Sequence, residues 1–135
     1  MSRLLPILFV AIGAMQPTPA AAAASPSVYG LWRNPLGTIE TRIAPCGTRL
    51  CGTIFRASPE AERDARDAGV RELVGVQLLQ HYRKVAPGRW KGRVYVPDMG
   101  GTFASRMVQL SPTQLKISGC MIGGSLCKSQ LWTRL

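Results

Sequence analysis

Few residues in this chain are of types that do chemistry. His81 is the sole histidine, and no G-x-S-x-G or similar nucleophile motif accompanies it. Nucleophilic catalysis needs an activated Ser, Cys or Thr beside a base. His81 therefore reads as a surface or packing residue, on one face of its strand with Gln77 and Leu79. Metal sites need several convergent ligands, and a single imidazole does not supply them. The acids are Glu40, Glu60, Glu62, Asp64, Asp67, Glu72 and Asp98. Glycoside hydrolysis needs two carboxylates facing each other across a cleft. Five of these acids fall between residues 60 and 72, where a solvated face is the plain reading. Asp98, in Pro97-Asp98-Met99-Gly100, is first a turn residue. Asp98 and Glu72 stay uncommitted, and no reaction follows from them. No phosphate-binding loop is present. The expectation is a protein without catalytic residues, cofactor or resident metal.

Cys46, Cys51, Cys120 and Cys127 can pair in three ways. The spacing favours local pairing. Cys46 and Cys51 flank the turn-like Gly47-Thr48-Arg49-Leu50, and Cys120 and Cys127 flank a stretch containing Gly123-Gly124. Each bridge would staple the base of a hairpin, contributing on the order of 2–3 kcal/mol. A four-cysteine zinc site is the alternative, but zinc ribbons carry C-x2-C knuckles. Spacings of four and six intervening residues fit disulfides better.

Charge offers a third kind of chemistry. Seventeen Lys and Arg against seven Asp and Glu give a formal net charge of +10. Arg83, Lys84, Arg89, Lys91 and Arg93 lie in one predicted hairpin, and Arg106 on the next strand extends the group. Arg89, Lys91 and Arg93 alternate onto one face with Tyr95, opposite Trp90. Such a patch suits phosphates of lipid headgroups or another anionic envelope component. A solvated outer face is the bland alternative. Nucleic acid is disfavoured as a partner, because the chain carries an export signal.

That signal occupies residues 1–24. A basic Met1-Ser2-Arg3 precedes an apolar run from Leu4 to Met15, and alanines from Ala20 to Ala24 end it. This is the order of a secretory signal peptide with an A-x-A cleavage site after Ala24. A membrane span needs about 20 apolar residues, and here Gln16, Pro17 and Pro19 interrupt the run. Residues 25–135 then form a single periplasmic domain without a membrane span, in a compartment where disulfides persist.

The elements that must position these residues are mostly strands. Period-2 alternation predicts eight, within 29–34, 38–43, 49–56, 74–82, 89–96, 102–110, 114–120 and 126–134. Turn signals such as Ala86-Pro87-Gly88 and Ser111-Pro112-Thr113 separate them. Ser58-Pro59-Glu60 opens a short helix or loop near 58–69, ended by Gly69. Eight short antiparallel strands suggest a small up-and-down barrel, with an open sandwich as runner-up. Such an interior holds side chains or one small ligand, and filling is the default expectation. Trp32 and Arg134, near the two chain ends, are expected to meet where the barrel closes.

The residues also carry a resemblance. Gly30-Leu31-Trp32-Arg33, Leu50-Cys51-Gly52 and Gly75-Val76-Gln77-Leu78-Leu79 lead it. Trp90-Lys91-Gly92-Arg93-Val94-Tyr95-Val96-Pro97-Asp98 and the ending Leu126-Cys127-Lys128-Ser129-Gln130-Leu131-Trp132-Thr133-Arg134 complete it. Together they resemble a family of exported bacterial proteins, domain of unknown function 2147. The resemblance covers nearly all of residues 25–135 and implies a lipocalin-like barrel, with no catalytic residues to carry over. At Met99-Gly100-Gly101 the chain departs from the family's usual Gly-Lys-like turn.

Two functions compete. One is non-catalytic carriage of a small lipophilic or amphipathic ligand, with Trp32, Ile54, Leu78, Trp90, Val94, Ile117 and Trp132 as inward contacts. The other is a macromolecule-binding or inhibitor-like envelope protein that uses the basic hairpin. Either suits a monomer or weak homodimer.

Overall fold

The computed structural model describes residues 10–18, 27–121 and 125–135. The expected cleavage after Ala24 and the Gly123-Gly124 turn lie outside the described residues. Strands run over Gly30–Arg33 (β1), Ile39–Cys46 (β2), Arg49–Ala57 (β3), Gln77–Ala86 (β4), Arg89–Val96 (β5), Gly101–Ser111 (β6), Gln114–Met121 (β7) and Leu126–Arg134 (β8). Each pairs antiparallel with its neighbour in sequence, and β8 returns to β1, closing the barrel. Closure leaves no unpaired sheet edge.

A helix, α1 (Pro59–Asp67), interrupts the strands between β3 and β4. Its start follows from the sequence. The Ser58 hydroxyl accepts from the Ala61 N–H, and Pro59 occupies the first turn, where its missing N–H costs nothing. Ala65 is its buried residue. The segment after it folds back, because both Glu62 carboxylate oxygens accept from the Leu73 N–H. Leu73 is thereby fixed in the core, 1% exposed.

Alternation sends Thr41, Ile43, Leu50, Ile54, Met107, Leu115 and Trp132 inward, where all are buried. On β5 the inner face carries Gly92. A Cβ there would stand 2.6 Å from the Tyr82 ring, so the phenol lies across space that only glycine leaves free. Buried Tyr82 donates to the Ser105 hydroxyl across 2.6 Å. Burial pushes its pKa well above the ordinary phenol value, and the Ser105 contact offsets part of that.

The expected grouping of Gln77, Leu79 and His81 on one face of β4 is corrected by the register. Thr53 pairs with Gln77 while adjacent Gly52 pairs with Leu79, leaving Leu78 as an extra residue. A second irregularity lies between the Leu79 and Tyr82 pairings. His81 stands within it at φ 51, the left-handed region. Leu78, Leu79 and Tyr82 are consequently all buried and His81 is exposed. A bulge adds one residue to one strand and breaks its period.

The seam between β1 and β8 is short, with Trp32 opposite Arg134 and Arg33 opposite Thr133. The Arg134 guanidinium lies 4.3 Å from the centroid of the Trp32 ring. It also donates to the carbonyls of Pro112 at 2.7 Å and Tyr29 at 2.8 Å, and to that of Ser27. The Trp32 indole in turn donates to the Val28 carbonyl at 2.8 Å. The expected meeting of the chain ends is present.

Both disulfides pair locally, Cys46 with Cys51 and Cys120 with Cys127. Cys120 and Cys127 are direct cross-strand partners between β7 and β8.

Candidate functional site

One end of the barrel is plugged and the other is not. The β2–β3, β4–β5 and β6–β7 turns share the plugged end with residues 27–29, and Tyr82, Met107 and Trp32 fill the interior toward it. The opposite end gathers the Asn34–Thr38 turn, α1 and the short 3-10 turn Pro97–Met99. There a cavity of about 480 Å3 opens into the barrel. The expectation of a filled interior is thus met in one half and not in the other.

Its wall is built from inward positions of several strands. Ile39 comes from β2, Leu78 from β4, Val94 from β5, Phe103 from β6, Ile117 from β7 and Trp132 from β8. Leu73 closes one side from the segment after α1. The rim is polar, with Glu60 and Asp64 on α1, Asp98 on the 3-10 turn, and Lys128 and Gln130 on β8. Gln130 is held by its carbonyl, which accepts from the Trp132 indole N–H at 3.0 Å. The Asn34 turn is equally fixed. Its side-chain oxygen accepts from the backbone N–H groups of Thr38 and Ile39, each at 2.9 Å. An apolar wall with a few placed polar groups is the ordinary composition of a small-molecule pocket, and the volume lies within the usual range for such pockets.

Leu78, Val94, Ile117 and Trp132 line this cavity. Trp32 and Ile54 lie elsewhere in the packed core, 0% and 1% exposed. Trp90 lines a separate depression at the plugged end, with Tyr29, Lys84 and Gln109. Sequence reasoning missed Ile39, Leu73 and Phe103. Ile39 and Phe103 sit on inward-facing alternating positions and were findable. Leu73 was not, because it reaches the wall through the Glu62 anchor.

The basic residues divide between faces. Arg83, Lys91 and Arg106 are successive cross-strand partners on β4, β5 and β6, forming one row on the outer wall. Arg89 and Arg93 flank Lys91 on the same face of β5, and Arg93 donates to the Thr102 carbonyl at 3.2 Å. Lys84 departs from the single patch expected of the hairpin. It pairs with Trp90 and borders the depression at the plugged end, because neighbouring strand residues face opposite ways and the β4 irregularity sets Arg83 outward. The ion pairs among the described residues centre instead on Glu40, which Arg33 meets at 2.8 Å and Arg56 at 3.7 Å.

One further cluster lies on the outer wall. The sulfur atoms of Cys46 and Cys51 and a ring nitrogen of His81 all fall within 4.8 Å of one another.

Residues 30–134 match the family described as "Uncharacterized protein conserved in bacteria (DUF2147)". The chain belongs to this family. A comparison with curated proteins gives no match. Among solved structures, the chain is similar to protein HP1028 from the human pathogen Helicobacter pylori, described as belonging to the lipocalin family. The TM-score is 0.65 at 17% identity, over 82% of this chain and 84% of that one. At that identity the likeness concerns the fold. This DUF2147 protein is therefore a closed eight-stranded barrel of lipocalin-like architecture.

Proposed function

We propose that this DUF2147 protein is an exported, non-catalytic carrier that holds a small lipophilic or amphipathic molecule in the mouth of its barrel. The observation that carries this reading is the apolar cavity of about 480 Å3 at the unplugged end. Burying apolar ligand surface there gains about 25 cal/mol per Å2 before the costs of association are subtracted. Leu78, Val94, Ile117 and Trp132 supply the wall, and the polar rim suits a ligand with one hydrated end. Export is supported by the amino-terminal signal pattern and by two disulfides in a bacterial family. The scarcity of nucleophile–base pairs in the sequence supports binding over catalysis. Titration with a neutral apolar fluorophore tests the reading. Saturable binding should be lost in Val94→Trp, which fills the cavity. Equal binding by both proteins would refute it.

A second reading rests on the row of Arg83, Lys91 and Arg106. Like charges directly opposite in a sheet are destabilising, and among the described residues no acid pairs with these three. An anionic envelope surface would relieve that repulsion. Lys91→Glu/Arg106→Glu should then abolish sedimentation with vesicles containing anionic phospholipid. Sedimentation that is unchanged, or insensitive to salt, would remove this reading.

A further inference from the structure

His81 occupies an unusual place. It is the sole histidine of the chain and, among the described residues, the one non-glycine residue with positive φ. Glycine adopts that conformation freely, whereas a residue with a Cβ does so under strain. Strained backbone persists where surrounding structure imposes it, and functional sites are where it gathers. The irregularity in β4 that imposes it here has a chemical consequence. It leaves Leu79 and Tyr82 in the core and turns His81 to the outer wall, beside Cys46 and Cys51.

The three residues come from three adjacent strands. Cys46 ends β2 and is half-buried, Cys51 on β3 is buried, and His81 on β4 is exposed. The Gln77 amide donates to the Cys46 sulfur at 3.8 Å. Two soft sulfurs and an imidazole suit a thiophilic d10 cation. The Cα atoms of the two cysteines are 5.5 Å apart. Two thiolates at that spacing can converge on one ion, at metal–sulfur distances of about 2.3 Å. In the oxidised protein the sulfurs are bonded to each other and offer no thiolate.

We propose that the Cys46–Cys51 bridge masks a redox-gated metal site, in which reduction lets Cys46, Cys51 and His81 bind a thiophilic cation such as Zn2+. The reductant is an external dithiol. Thiol–disulfide exchange passes two electrons to the bridge, leaving the dithiol as its own disulfide and both cysteines as thiols. Metal binding then releases the two thiol protons to water. The neutral imidazole donates a lone pair, and the fourth position of a tetrahedral ion stays open to water. The Gln77 N–H remains placed to hydrogen-bond the Cys46 thiolate and orient it. This site stands apart from the mouth cavity, whose wall includes neither cysteine nor His81.

The chain carries its own control. The Cys120–Cys127 pair spans β7 and β8, and the sole histidine stands beside the other bridge. The experiment is an anaerobic Zn2+ titration of the full reduced protein against a chromophoric chelator, with circular dichroism recorded on the same samples. Wild type and Cys120→Ser/Cys127→Ser should each take up one equivalent, and Cys46→Ser/Cys51→Ser none. His81→Gly separates binding from folding, since glycine suits this backbone better than histidine does. It should weaken Zn2+ binding tenfold or more while the melting temperature of the oxidised protein stays level or rises. Unchanged affinity in His81→Gly would overturn the proposal. So would reduced wild type that binds no more tightly than the denatured chain, whether or not it keeps its fold.

Discussion

Removing the Arg134 guanidinium would strip the closing strand of three carbonyl contacts and its stacking on Trp32. Hydrogen bonds to a charged donor contribute about 1.5–3 kcal/mol each, less where exposed. Arg134→Ala is expected to destabilise the barrel by about 3 kcal/mol, read from the denaturant midpoint. Arg134→Lys should recover little, because an ammonium cannot fork to three carbonyls or stack flat on an indole. Gly30 belongs to the same lock. Its φ is 126, and a Cβ there would stand 3.0 Å from an Arg134 nitrogen, so Gly30→Ala should lower stability as well. Tyr82→Phe leaves the buried Ser105 hydroxyl without its partner. A cost of about 1–3 kcal/mol should appear, most of it recovered in Tyr82→Phe/Ser105→Ala. The Trp32–Arg134 meeting was legible in the sequence because both residues sit at the chain ends of a repeating strand pattern. The Tyr82–Ser105 contact was not, because it depends on an extra residue in β4.

At the scale of elements, α1 is held at two points. Ser58 caps its start, and Glu62 ties the following segment to it. Ser58→Ala should cost about 1 kcal/mol. Glu62→Ala should speed amide exchange across residues 59–73 while leaving the β5–β6 ladder protected. Equal acceleration in both regions would contradict a separately anchored segment. The helix could be read from Ser58-Pro59-Glu60, since cap, proline and acid each satisfy a known need of a first turn. Five of the strands were legible for the same kind of reason, since alternation and turn residues agree, whereas β2 runs three residues past the expected Ile43 to Cys46. Strand β4 was not. Alternation runs it from 74 to 82, whereas the strand spans Gln77–Ala86 and 73–76 form a connection in which the Gly75 N–H donates to the Ile54 carbonyl at 2.8 Å. Its faces were misassigned because apolar Leu78 and Leu79 adjoin, and period-2 reading cannot decide which is the extra residue. Strand β1 was overextended, since Tyr29 and Asn34 serve the seam and the turn instead.

The whole molecule divides into a plugged half, a cavity half and a basic wall. Closure of the barrel followed from strand count and short connections. The cavity did not, because whether an interior is filled depends on where large side chains fall along each strand. Tyr82 and Trp32 crowd the plugged end, while the small residues Val94 and Gly119 line the cavity at the other. Basic residues were visible in the sequence, and alternation alone separates Lys84 from Arg83, but the register decides that Arg83 is the one on the outer wall. Val94→Trp should occupy the mouth at a cost of about 1–3 kcal/mol from overpacking, and the barrel should still close. The most direct test of carriage is a native mass spectrum of wild type and Val94→Trp, each purified from its host envelope. An adduct of lipid-like mass is expected on the oxidised wild-type chain, beginning at Ser25, and none on Val94→Trp. A bare wild-type protein, or the same adduct on both, would contradict it.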